Sequence, residues 1–209
     1  GAILIGVPIG LLTAVYLARF CPKGLYRVVK PAVDRMAGIP SIVYGFFGLV
    51  VIVPMVQKLT GSSGKGLLTA SLLLGMMILP TIIGVAETSI RAVPESYYEG
   101  SLALGATHER SVFFAQLPAA TSGVMSGVIL GVGRAIGETM AVIMIAGNQP
   151  IMPRGLLEGL RTMTANVVLE MGYASGLHRR ALIATGVVLF VFILIINTCF
   201  SLLKRRDQR

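Results

Sequence analysis

Apolar positions in this chain come in long runs rather than in the one-faced pattern of a water-soluble fold. A helix needs about 20 mostly apolar residues to cross a hydrocarbon core of roughly 30 Å. Stretches at about residues 2–18, 39–56, 67–86, 118–146 and 181–203 qualify. They predict an all-α integral membrane protein with about five transmembrane helices, forming a single domain over residues 1–209. Kinks are expected at Pro8 and Pro80, where a proline within a helix removes a backbone donor.

Two polar intervals are too long to be tight turns. The first, 94–118, reads PESYYEGSLALGATHERSVFFAQLP. Pro94 suits a first helical turn, and Glu95 and Glu99 lie where a helix N-terminus favours negative charge. Gly105 is a natural helix stop and Thr107 a natural cap for a second helix through Phe113 and Phe114. Pro118 then ends that helix or starts the next. A helix–glycine–helix between two spans suggests a part that docks into something. In the second interval, 148–180, Leu156, Leu160, Met163, Val167 and Met171 recur every three or four residues, which predicts an amphipathic helix. Such a helix can lie on the membrane interface or serve as a gate or platform for an external partner.

Composition agrees with a lipid environment: 55% of residues are hydrophobic and 13% charged, against roughly 25% charged in soluble domains. The net charge of +9 comes without a basic stripe interleaved with aromatics, so nucleic acid is excluded as a partner. Lys and Arg instead orient the chain. Eleven fall in the 19–35 interval, the 87–117 interval and the tail, and six on the other side. The positive-inside rule makes the first set cytoplasmic, which puts the 94–118 loop and the C-terminus inside and the 148–180 loop outside. Cys21 and Cys199 form no CxxC pair, and His108 and His178 fall on opposite sides, so no metal or acid–base constellation is expected. The chain opens on Gly1 at the edge of an apolar run, so a missing natural N-terminus is expected.

The fourth stretch contains GVMSGVILGVGRAIGETMAVIMIAG, residues 123–147. Gly123, Gly127 and Gly131 repeat every fourth position, and Gly133 and Gly137 do so on another face; this spacing lets helices approach closely in lipid. Arg134 and Glu138, four apart on one helix, would share a face. No other charged residue is expected well inside a span. Each costs at least about 2.5 kcal/mol at the helix centre. The pair is therefore either a structural buried ion pair or part of a transport path. Arginine suits an oxyanion because its planar fork offers two hydrogen bonds to one phosphate-like group.

Glu99, Gly100, Ser101, Gly105 and Leu117–Pro118 together resemble the EAA loop of ABC importer permeases, EAA-x3-G-x9-I-x-LP. Gly100 and Ser101 stand for the two alanines, and Ala115 for the isoleucine. IPSIVYGFFGL (39–49), PTIIGVAETSIRAVPESYYEGSLALGAT (80–107) and GRAIGETMAV (133–142) further resemble permeases of the phosphate-specific ABC importer, and the GETMA form is similar to the PstC-type subunit. The resemblance implies a type I ABC importer permease core in the bacterial inner membrane. In it the 94–118 loop would dock on separate ATP-binding subunits, with Glu99, Gly100, Ser101, Gly105 and Pro118 as its coupling residues. It further implies a second, PstA-type permease, an external phosphate-binding protein, and Arg134 and Glu138 on the phosphate path. ATP would be used by the partner subunit; no GxxxxGK[ST] occurs in the sequence, so this chain is expected to bind no cofactor and to be no enzyme. Competing readings are the same fold with molybdate or sulfate as cargo, and an ATP-independent secondary transporter or channel, against which stands the lack of an internal repeat.

Overall fold

A computed structural model describes residues 1–207, with side chains up to residue 200. The basic side chains of the tail, counted above for orientation, lie outside the described residues. The elements are α1 (Ala2–Val15), α2 (Lys23–Ala37), α3 (Ser41–Phe47), α4 (Val53–Thr60), α5 (Leu67–Arg91), α6 (Glu95–Ala103), α7 (His108–Ser111), α8 (Leu117–Ala119), α9 (Thr121–Gly137), α10 (Met140–Ile145), α11 (Met163–Glu170) and α12 (Gly176–Asp207). Among the described residues, four helices are long and apolar enough to cross a membrane: Ala2–Phe20, Ser41–Thr60, Leu67–Arg91 and Gly176–Phe200. A fifth span is possible if His108–Ala119 and Thr121–Gly137, bent by 72° where they meet, count as one.

Proline placement explains several of the irregularities. Five-residue π-helical turns cover Tyr16–Phe20, Gly48–Ile52 and Val112–Gln116. Each ends two residues before a proline: Pro22, Pro54 and Pro118. A proline has no N–H for the carbonyl four residues back and its ring collides with it. A wider π turn moves that carbonyl aside. The helix thus continues through Pro54 and Pro118, whereas at Pro22 the chain turns into α2. The fourth span departs from the sequence expectation at both ends. It does not start straight from Pro118, and its helix stops at Gly137, with Glu138 and Thr139 outside regular helix before α10.

The chain forms two compact units. One comprises residues 1–6, 39–77 and 133–199. Its core packs Tyr44, Ile52, Val53 and Val56 against Leu73 and Met77 of α5 and against Ala141, Val142 and Ile145 of α10. α3 and α10 meet at Gly45, where a Cβ would lie 2.8 Å from the Ala141 Cα. Over this core the interval after α10 is a strap. Leu67 N donates to Glu158 O at 3.0 Å, Leu68 N to Leu156 O at 2.7 Å, Gly66 N to Ile145 O at 3.2 Å and Leu160 N to Ala146 O at 2.9 Å. These bonds satisfy end groups of α5 and α10 that have no partner within their own helix. The expected long amphipathic helix is therefore shorter. Leu156 and Leu160 belong to the non-helical strap, Leu156 in a turn, and only Met163–Glu170 is helical.

The other unit comprises residues 7–38 and 78–132. Ala14, Val15 and Ala18 pack with Ala86 and Ile90 of α5, with Val93 just beyond it, and with Val112, Ala120 and Val124. The expected glycine stripe divides here. A Cβ at Gly123 would collide with the Ser89 side chain; one at Gly127 would lie 3.2 Å from Val85 Cβ and 3.3 Å from Ile82 O; one at Gly131 would lie 2.7 Å from Ile82 Cγ1. At Gly133 and Gly137 a Cβ would meet no atom within 4 Å. Since lipid supplies no net hydrophobic drive between helices, such close approach is what holds α9 to α5. Gly127→Val is expected to lower stability by about 1–3 kcal/mol through overpacking, and Gly133→Ala to be neutral or slightly stabilising. Thermal unfolding of the purified protein in detergent measures both.

Candidate functional site

The polar interval 94–118 folds as its residues predict. Pro94 occupies the N-cap position of α6. Leu104 ends α6, Gly105 adopts a φ of +84°, Gly105 N donates to Leu102 O at 2.9 Å and Ala106 N to Ser101 O at 3.2 Å. This paired return is the Schellman arrangement that a glycine favours. Thr107 Oγ1 then accepts from Arg110 N at 3.3 Å and caps α7. The two short helices are tied by Tyr98 Oη to His108 Nδ1 at 2.8 Å and by Ser111 Oγ donating to Ser101 Oγ at 3.0 Å. α6 has no buried residue; Glu99, Gly100 and Gly105 are exposed, Ser101 half-buried, and Leu104 is 91% exposed. Pro118 is exposed in the last turn before the bend. The loop is thus a rigid, internally bonded knob with an unburied outer face.

Arg134 and Glu138 are both half-buried, but they do not lie one turn apart on a continuous helix. α9 stops at Gly137 because the Glu138 carboxylate takes over the next helix start. Its Oε1 accepts from Thr139 N at 3.0 Å and Ala141 N at 3.1 Å. That carboxylate therefore caps α10, a place where negative charge is favoured. Arg134 lies within electrostatic reach of Tyr44. Thr164 Oγ1 of α11 donates to Glu138 O at 3.2 Å, so the 148–180 segment is bonded to the break itself. Arg161 braces that segment, donating to Asn148 O at 3.0 Å, Glu170 Oε1 at 2.6 Å and Asn166 Oδ1 at 3.2 Å.

Residues 6–207 match the family of binding-protein-dependent transport system inner membrane components. The chain belongs to that family. It is 36% identical over 201 residues to the probable ABC transporter permease protein YqgH of Bacillus subtilis, covering 93% of this chain and 65% of that protein. It is 33% identical over 228 residues to the phosphate transport system permease protein PstC of Pasteurella multocida and 35% over 230 residues to that of Mesorhizobium japonicum. Both matches cover 100% of this chain, and 71% and 70% of those proteins. The chain thus spans about two thirds of the length of these relatives. Its fold is that of inward-facing structures of the MetNI methionine ABC transporter, with a TM-score of 0.77 at 23% identity over 100% of this chain and 90% of that one. It also resembles an amino acid ABC transporter crystallised with histidines, with a TM-score of 0.63 at 16% identity over 98% and 88% of the two chains. The type I permease fold expected from the sequence is borne out.

This inner membrane component also holds a charged cluster that the sequence does not advertise. Glu87 was expected just beyond the third span, but α5 continues to Arg91 and Glu87 is 1% exposed. Its Oε1 accepts from Tyr26 Oη and from Arg91 Nε, each at 2.7 Å. Its Oε2 faces the Lys30 ammonium at 2.9 Å. The signal available in the sequence was Glu87 and Arg91 at i and i+4; their partners on α2 are some sixty residues away.

Two outcomes test the local geometry. Gly105→Ala is expected to cost about 1–2 kcal/mol for placing a Cβ in left-handed backbone, read as faster hydrogen exchange at the Gly105 and Ala106 positions. In the 148–180 segment, hydrogen bonding from the Tyr173 hydroxyl and from Arg161 holds the Glu170 carboxyl below its ordinary range. Its contribution is present above the ordinary carboxylate value of about 4.3 and is lost as pH falls through its lowered folded value. Protection of the α11 amides, taken relative to intrinsic exchange at each pH, should therefore hold down to that range and fall only below it, whereas in Glu170→Gln it should be lower and show no such step.

Proposed function

We propose that this chain is the PstC-type permease subunit of an ATP-driven phosphate importer in the bacterial inner membrane. A second, PstA-type permease completes the path, and an external phosphate-binding protein delivers cargo to the side of residues 148–180. Separate ATP-binding subunits dock on the exposed outer face of α6 and Leu104. The coupling loop and the C-terminus are cytoplasmic. The chain itself binds no cofactor and hydrolyses nothing; ATP is used by the partner subunit.

The observation that carries the reading is the helix break at Glu138–Thr139, with Arg134 one turn before it. In lipid, backbone outside regular helix is tolerated only where protein covers it or where it lines a cavity. Transporter sites are built at such interruptions. An arginine there can offer its fork to an oxyanion. A carboxylate nearby would repel phosphate, but Glu138 is turned onto the N–H groups of Thr139 and Ala141. Glu138 thus shapes the break and Arg134 attracts the anion. Phosphate as cargo is supported by the PstC relatives and by the GRAIGETMAV segment that forms the break. A second reading, molybdate or sulfate, is favoured by the same fork, which suits any tetrahedral oxyanion.

Uptake of labelled phosphate into proteoliposomes holding the complete complex should require ATP hydrolysis; uptake without it would overturn the reading. Arg134→Gln should abolish uptake and leave assembly intact, whereas loss of assembly would make Arg134 a structural residue. Glu99→Lys should lower ATPase attachment or ATP-driven uptake by roughly tenfold, the size of one lost charge contact at about 1.4 kcal/mol. Normal uptake in that variant would count against docking at α6.

A further inference from the structure

We propose that Glu87 is a positioning residue. Together with Arg91 and Arg19, it clasps α2 and the adjoining ends of α1 and α5 to the first residue of α6, so that these parts move as one body when α6 is moved. The inference rests on the docking role given to α6 above.

The clasp has two halves. In the buried half, Glu87 holds Tyr26 and Lys30 of α2 and Arg91 of its own helix. Lys30 is also paired with Asp34 at 3.0 Å. Burial disfavours the Lys30 ammonium, but its bonds to Glu87 and Asp34 outweigh that and raise its pKa above the ordinary value. The Arg91 guanidinium lies over the Tyr26 ring, 4.4 Å from its centre, and Nη2 donates to Leu17 O at 2.7 Å. In the second half, Arg19 Nη2 donates to Ile90 O at 3.4 Å and Nη1 to Glu95 Oε2 at 3.1 Å. Each arginine thus satisfies a carbonyl at the end of the other's helix. Arg19 continues to Glu95, with which α6 begins.

Stability alone is a poor account of this cluster. Apolar residues already join α2 to α5 and to the turn that follows α1: Leu17, Val33 and Ile83 form a buried core with Tyr26, Val29 and Leu79. A buried ion pair is often no better than apolar packing of similar volume. Charged groups add direction: Glu87 has one arrangement that meets Tyr26, Lys30 and Arg91 together. A displacement of α6 is therefore transmitted to α2 and the end of α1 rather than absorbed in a loose connection.

The test uses the complete complex in nanodiscs, with Cys21 and Cys199 replaced by serine and spin labels on cysteines at the exposed positions Lys23 of α2 and Ser96 of α6. The parent is expected to show one narrow distance, the same with and without ATP. Glu87→Gln should broaden it or make it vary with nucleotide, and should raise the ATP consumed per anion transported several-fold while hydrolysis continues. Arg19→Gln, which cuts the half-exposed link to Glu95, should do the same and decides the matter if Glu87→Gln fails to assemble. A parent distance that changes with ATP, or a narrow distance and unchanged ATP-to-anion ratio in the variants, overturns the clasp. A parent complex that ignores phosphate counts against the cargo assigned above; the distance still judges the clasp, with sulfate or molybdate as cargo for the ratio.

Discussion

Every peptide group of a membrane span must find a hydrogen-bond partner inside the protein, because lipid offers none. Much of this structure follows from that constraint. Prolines remove donors, and at Pro54 and Pro118 the helix widens by a π turn before the ring rather than ending. The first N–H groups of α5 are met by carbonyls of the strap at Leu156 and Glu158. The first N–H groups around α10 are met by Glu138. The carbonyls at Leu17 and Ile90 are met by arginines. At each of these places a group with another apparent purpose is committed to the backbone.

The same constraint separates what could be read from the sequence from what could not. Gly105 and Thr107 were legible because a left-handed stop and a hydroxyl cap are local devices, settled within a few residues. Four spans were legible within a few residues because their length and apolarity are local as well. The break at Glu138 was not. Residues 123–147 keep helical spacing throughout, and a glutamate four after an arginine suggests a pair on one face. Its actual role depends on which N–H groups it meets once the helix stops. Leu156 and Leu160 misled for a related reason: their spacing fits a helix, but their segment's backbone is engaged with the ends of α5 and α10. Whether Arg134 and the coupling residues act as the resemblance implies is a matter of partners, which no residue of this chain supplies.

Arg134 and Glu138 therefore stand in different settings, although the sequence presents them as equals. One is a cation beside irregular backbone, the other an anion already engaged by two N–H groups. This removes a difficulty in the transport reading, since a carboxylate aimed at the path would oppose an anionic cargo. It also makes the break dependent on that side chain. With the Glu138 side chain absent, the N–H groups of Thr139 and Ala141 would lose their acceptor, and the cost of an unmet buried donor is about 1–3 kcal/mol. Restoring an unbroken helix is one way to avoid that cost, so the residue that looks like a substrate contact can govern whether the site exists.

The clasp around Glu87 extends the same reasoning from single helices to a group of them. Small residues and apolar packing bring α9 close to α5, but apolar contacts hold by area and tolerate sliding, as a set of many weak and similar contacts does. A carboxylate shared by a tyrosine, a lysine and an arginine tolerates little displacement, since moving any partner by an ångström or two leaves a buried charge unmet. A permease must let some parts slide and hold others fixed. On that logic the glycine-lined contact between α9 and α5 is the kind that can slip, and the charged contact between α5, α2 and the start of α6 is the kind that carries a push.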